Sequence, residues 1–166
     1  MTHLAPPILA PVRSSTPIHA RIAVVIPAWN EEGSIGRVID ALPKDYVDRV
    51  IVADNNSTDY TATVARKFGA TVVPATRQGY GSACLAALAH LVGDPPEIVV
   101  FIDADFSDHP EQLPLLVDPI LAGQADFARL APGGVVSEVA DGGHYVHLDQ
   151  PQVAAAAVLR VLGKVE

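Results

Sequence analysis

The chain has 166 residues, enough for one domain with a sizeable core. Hydrophobic residues make up 49% and charged residues 18%, a globular balance that excludes a disordered chain. A formal charge of -8 and a pI near 5.1 exclude a nucleic-acid surface, which needs a basic face, and a polybasic membrane patch.

Residues 1–20 carry Pro6, Pro7, Pro11 and Pro17, with no basic region followed by an apolar one. They read as a flexible leader, not a secretory signal. Arg21 to Pro27 is a first buried strand, expected to stop at Pro27 because proline cannot continue a central ladder. A loop, Ala28 to Gly33, leads to a helix over Ser34–Leu42, with Ile35, Val38, Ile39 and Leu42 at helical spacing. After Pro43, Val47 to Ala53 reads as a second strand, closed by Asp54-Asn-Asn-Ser-Thr-Asp59. That polar cluster makes a turn and a cap for a helix over Tyr60–Phe68, which Gly69 ends. Ala70 to Val73 is a short third strand. The loop Thr76-Arg-Gln-Gly-Tyr-Gly-Ser82 follows, and then a helix over Ala83–Val92. Cys84, the single cysteine, sits there among Ala and Leu and reads as a small buried hydrophobe.

Ile98 to Ile102 is β-branched and apolar throughout, the pattern of a strand buried on both faces of a parallel sheet. It ends in Asp103 and Asp105. Two acids so close repel one another unless a cation joins them, and hard oxygen donors suit Mg²⁺ or Mn²⁺. Capping of the helix over Pro110–Ala122 is the plain alternative, and spacing alone leaves both open. Gly123 ends that helix, and a fifth strand begins over Ala125–Ala128.

Strands and helices alternating at this pace predict an α/β fold with a mainly parallel sheet and right-handed crossovers. Ligands of such sheets sit beyond the carboxyl ends of the strands. Four strand ends bring polar residues to that edge: Asn30 with Glu31, then Asp54, then Arg77, then Asp103 with Asp105.

These stretches resemble, in order and spacing, the motifs of the family 2 glycosyltransferases: Ile26 to Glu32, Asp54 to Asp59, Arg77 to Gly81, and Asp103-Ala104-Asp105. The resemblance covers residues 22–127, nearest to polyprenyl-phosphate sugar transferases of the dolichol-phosphate mannose synthase kind. It implies the Rossmann-like GT-A fold over 21–128, its sheet sandwiched by helices. The implied activity is metal-assisted, inverting transfer of a sugar from a nucleoside-diphosphate sugar, with a polyprenyl phosphate as one acceptor. By the same resemblance Pro27, Ala28, Trp29 and Glu31 wall the nucleotide, Asp54 accepts hydrogen bonds from its base or ribose, and Asn30 and Asn56 belong to the same nucleotide-sugar site. Arg77 approaches the diphosphate or base, and Gly79 lets the backbone come close. Asp103, Ala104 and Asp105 form the DxD element, with Asp103 and Asp105 as ligands of Mg²⁺ or Mn²⁺. For Asp54 and the glycines, turn geometry is the plain alternative.

After Phe127 the chain departs from the family. Residues 129–166 read as an extension of one strand, a histidine loop and an Ala/Val/Leu helix to Leu162, resembling the end of an α/β-hydrolase with His144 in the histidine position. Hydrolysis is excluded because neither Ser34 nor Ser82 lies in a Gly-x-Ser-x-Gly elbow. His144 and His147 could share a metal, although two histidines in a turn are commonly solvated. Spacing assigns no catalytic base among Asp126, Glu138 and Asp141. The alternative to an enzyme is therefore a non-catalytic nucleotide-sugar binder lacking the acceptor half. No apolar run approaches the ~20 residues of a spanning helix, so the expected compartment is the cytoplasm, with membrane contact only through a lipid acceptor at the inner face.

Overall fold

The computed structural model describes residues 20–124 and the backbone of three further strands, 127–131, 134–138 and 157–160. The first strand, β1 (Ile22–Ala28), is flanked by β2 (Arg49–Asp54) and β4 (Ile98–Phe101), and β3 (Thr71–Pro74) lies outside β2. These four strands are parallel throughout. On the other side of β4 come β7 (Ala157–Arg160), β5 (Phe127–Ala131) and β6 (Gly134–Glu138), each antiparallel to its neighbour. The order is thus β3-β2-β1-β4-β7-β5-β6, an α/β sheet that is parallel where the polar strand ends gather.

Every residue of β1 is buried because the sheet is covered on both faces. Ile22, Val24 and Ile26 face one layer, formed by α1 (Ile35–Ala41), α2 (Thr61–Lys67) and α4 (Leu113–Leu121), whose Ile35, Val38, Ala65, Leu116 and Ile120 are buried with them. Ala23 and Val25 face the other layer, where α3 (Tyr80–Leu91) contributes Ala83, Ala87 and Leu91. Strand periodicity of two divides one apolar run between two cores. Each fully buried Ile, Leu or Val contributes about 1.5–3 kcal/mol of transfer free energy.

Four expectations change. Strand β1 runs through Pro27 to Ala28, paired with Ala53 and Asp54. The Ala28 carbonyl faces β2 and that of Val25 faces β4, so alternation turns Pro27 toward β4, whose ladder ends at Val25–Phe101. The missing N–H therefore interrupts no bond to β2. Helix α3 begins at Tyr80, not Ala83, because the Ala83 N–H closes its first turn on the Gly79 carbonyl at 3.0 Å. The expected helix over Pro110–Ala122 splits into a 3₁₀ turn, Pro110–Gln112, and α4, with a second proline, Pro114, in the first turn of α4. Finally, 157–160 is a strand where an Ala/Val/Leu helix was expected. It satisfies the backbone edge of β4 through Ile98, Val99 and Val100, a demand set by the sheet and invisible in local propensity. The 1–19 stretch of the leader, the side chains of Asp126, Glu138 and Asp141, and His144 with His147 lie outside the described residues.

Candidate functional site

The parallel register places the ends of β1, β2, β3 and β4 on one edge. Backbone bonds lock them there: Asn55 N–H to the Ala28 carbonyl (2.8 Å), Ala75 N–H to the Asp54 carbonyl (2.9 Å) and Ile102 N–H to the Val25 carbonyl (3.1 Å). Beyond that edge opens a cavity of about 470 Å³. It is lined by Pro27, Ala28, Trp29 and Glu31 after β1, by Asp103, Ala104 and Asp105 after β4, and by Gly79 at the entry to α3. All of these are among the residues expected from sequence. Asn55, Gln78, Tyr80 and Ala83 also line it and were missed. Their signals were weak. Asn55 is the middle of a polar turn, and Tyr80 is an aromatic between two glycines at a helix start.

Asn30, Asp54, Asn56 and Arg77 stand outside the lining. Asn30 has φ 57° and clamps the β1–α1 loop to the β2–α2 loop, its Oδ1 accepting from the Thr58 N–H at 2.8 Å. Asp54 accepts from the Ser57 N–H at 3.3 Å, the turn role that was its plain alternative. Asn56, with φ 62°, donates to the Thr76 carbonyl at 3.1 Å. Arg77 is exposed and gives its carbonyl to Asn55 at 2.7 Å.

The loop after β4 carries the charge. The Asp103 N–H donates to Asp108 Oδ2 at 2.9 Å, and the Ser107 N–H to Asp105 Oδ1 at 2.8 Å. Between them Phe106 takes φ 68°, a conformation that costs a bulky residue about 1–3 kcal/mol. The Arg37 guanidinium, 4.2 Å from its ring centroid, helps to hold it there.

Burial raises Asp103 above the ordinary carboxylate range, and the neighbouring charges of Asp108, Asp105 and Glu31 add to this, while the Tyr80 hydroxyl opposes it by donating a hydrogen bond. Asp108, itself buried, is also raised, chiefly by burial. Asp105 is lowered by its hydrogen bonds from the Ser107 hydroxyl and N–H. Burial, then the Asp103 charge, pushes the phenol of Tyr80 up and the thiol of Cys84 up to about 11.

The charged residues of the lining are Glu31, Asp103 and Asp105, with no Lys or Arg among them. Such a cavity repels a diphosphate until a cation intervenes. No group of three or more His, Cys, Asp or Glu among the described residues can hold a metal by itself. Two carboxylates from the protein, with phosphate and water completing the shell, are the usual provision for Mg²⁺. Asp103 and Asp105 fit that role, and the raised Asp103 is a carboxylate whose charge a divalent ion would relieve.

The family model for glycosyl transferase family 2 matches residues 23–145, well over half of the chain. The chain belongs to this family. The match continues past Phe127 into the stretch read from sequence as hydrolase-like. Over 96 residues the chain is 50% identical to an uncharacterized glycosyltransferase of Mycobacterium tuberculosis, covering 58% of this chain and 42% of that protein. It is 44% identical over 115 residues to glucosyl-3-phosphoglycerate synthase of the same species, covering 62% of this chain and 35% of the synthase. The M. tuberculosis synthase, solved with Mn²⁺, UDP and glucosyl-3-phosphoglycerate, superimposes with a TM-score of 0.57 at 39% identity. That superposition covers 65% of this chain and 42% of the other. A further structure of the synthase holds Mg²⁺ and UDP. The family member described here thus spans less than half the length of these relatives. The fold is that of the GT-A glycosyltransferases. No helix among the described residues is long and apolar enough to cross a membrane.

Proposed function

We propose that this family 2 chain binds a nucleoside-diphosphate sugar together with Mn²⁺ or Mg²⁺ and transfers the sugar to an acceptor carrying a nucleophilic oxygen. One observation carries the reading: the cavity at the ends of β1 and β4 is charged only by Glu31, Asp103 and Asp105, so a cation beside those carboxylates favours entry of a diphosphate. Asp103 and Asp105 would hold that cation. When bound, it supplies charge stabilisation to the diphosphate as the bond to the anomeric carbon breaks.

The protein's own residues do the rest. The Asp105–Ser107 hydrogen bonds keep one carboxylate ionised and oriented before any ligand arrives. Trp29 and Tyr80, each about half exposed, offer apolar ring surface for the flat parts of a nucleotide. Gly79 leaves open space where a side chain would stand, so a ligand can approach the backbone.

For the acceptor, similarity to proteins named glucosyl-3-phosphoglycerate synthase supports a small phosphorylated acid, whereas nothing here supports a polyprenyl phosphate. The test is calorimetric titration of UDP and GDP with and without Mn²⁺, on wild type and Asp105→Ala. Binding that requires Mn²⁺ and weakens ~100-fold or more in the variant, the loss of one ligand of a charged site, supports the donor site. Equal binding with and without metal refutes it. Turnover of a labelled donor with 3-phosphoglycerate or a polyprenyl phosphate then separates transfer from binding alone and one acceptor class from the other.

A further inference from the structure

The buried amide of Asn55 lines the cavity, yet it is committed to the protein itself. Asn55 is 6% exposed, and its Nδ2 donates to the carbonyls of Ala75 (2.9 Å) and Arg77 (2.7 Å) while Oδ1 accepts from the Gly79 N–H (2.7 Å). An amide has two donors and two acceptor lone pairs, so only one lone pair remains for any ligand.

The stretch from Thr76 to Gly79 has no helix or strand of its own. Its backbone is tied to the rest of the fold by Asn55 and by the Asn56 bond to the Thr76 carbonyl. Apart from these, the Gly79 carbonyl closes the first turn of α3 through the Ala83 N–H at 3.0 Å. Gln78 and Gly79 line the cavity from this loop, and Tyr80 and Ala83 from the helix it opens. The asparagine at the end of β2 therefore decides where one whole wall of the site stands relative to β1 and β4.

We propose that Asn55 is a positioning residue: acting through Arg77 and Gly79, it holds the Thr76–Gly79 loop and the first turn of α3 at the separation that admits a nucleoside diphosphate. This rests on the donor-site reading above and deepens it. The chemistry is particular to asparagine. Aspartate presents only acceptors to two carbonyls, and alanine leaves two carbonyls and an N–H without their partner.

Two readouts on the full chain test it, with Asn55→Ala and the isosteric Asn55→Asp. The first is limited trypsin digestion followed by mass spectrometry. Arg77 is exposed, but cutting after it requires release of the carbonyl that Asn55 holds. Both variants are expected to be nicked after Arg77 ~10-fold faster than wild type, the equivalent of one lost buried hydrogen bond. Cutting after Lys67 stays unchanged, which distinguishes local release from global unfolding. Should Asn55→Ala fail to fold, Asn55→Asp, which keeps an acceptor for Gly79, carries the test.

The second readout is UDP and GDP affinity with Mn²⁺, expected to weaken ~10-fold in Asn55→Ala, or in Asn55→Ser should Asn55→Ala fail to fold, since neither adds a charge to the cavity lining as Asn55→Asp does. Equal nicking at Arg77 in all three proteins overturns the proposal. So does faster nicking with unchanged nucleotide affinity, since Asn55 would then serve the fold alone. A wild type that binds neither nucleotide instead refutes the donor-site reading, and with it the ligand half of this proposal. The nicking ratio still decides whether Asn55 pins the loop.

Discussion

Asp59 joins the two loops on which the site depends. Its Oδ2 accepts from the Glu32 N–H at 3.1 Å, and its Oδ1 accepts from the Thr61 N–H at 2.9 Å and from the Thr61 hydroxyl. That hydroxyl, on a fully buried residue, accepts in turn from the Glu31 N–H at 2.7 Å. Tyr60, the residue before α2, makes no side-chain cap; Asp59 accepts from the Thr61 N–H at that helix start, and Glu32 Oε2 accepts from the Tyr60 N–H at 2.8 Å. Asp59→Ala removes all three bonds. Because the carboxylate is partly exposed, water recovers some of the loss, and the expected cost is about 1–2 kcal/mol. For a chain of this size that lowers Tm by roughly 3–8 °C.

The pH dependence follows from the same contacts. Burial alone would raise Asp59, but the Thr61 hydroxyl, the Thr61 N–H and the Glu32 N–H outweigh it and hold the carboxyl below its ordinary value of 3.8. The unfolded chain then binds more protons than the folded one between those two values. The contribution of Asp59 is complete above 3.8 and is lost as pH falls through the lowered value. Urea unfolding of wild type and Asp59→Ala should show a constant gap from pH 7 to about 5 that narrows on further acidification. A gap under about 0.5 kcal/mol at pH 7, the size of an ordinary surface change, refutes this account, and so does one that widens in acid.

Gly79 has φ 121° and ψ 144°, and a Cβ there would meet nothing within 4 Å. Gly79→Ala therefore carries only backbone strain, about 1–3 kcal/mol, read by urea unfolding; an unchanged midpoint contradicts it. The Cys84 thiol, pushed up to about 11 by burial and then by Asp103, is nearly all protonated at pH 8. Its reaction with a disulfide reagent in the native chain should run ~100-fold or more slower than in urea, in line with the thiolate fractions; comparable rates would place it at the surface.

Much of the fold was legible because burial and periodicity speak locally. Ile98–Ile102 could only be an interior strand, and α1 could be read from Ile35, Val38 and Ile39. The Asp103–Asp105 pair announced itself through two charges at the end of an apolar run. The same residues also carry the family resemblance, which names a chemistry that spacing alone leaves open.

Other features were settled by partners distant in sequence. Proline in a central strand is acceptable at Pro27 because the β4 ladder stops beside it. An Ala/Val/Leu segment becomes β7 because β4 has an open edge to satisfy. Within Asp54-Asn55-Asn56, composition says only that the chain turns. Which side chain becomes buried and bonds to Ala75, Arg77 and Gly79 depends on where β3 ends, 20 residues further along the chain in the case of Ala75. The layers, the strand-end edge and the acidic pair were readable from local residues, since each follows from the free energy of burying or exposing neighbouring side chains. Which polar groups face the cavity and which hold its wall emerges with the folded chain, because a hydrogen bond is assigned by geometry between segments that local propensity cannot see.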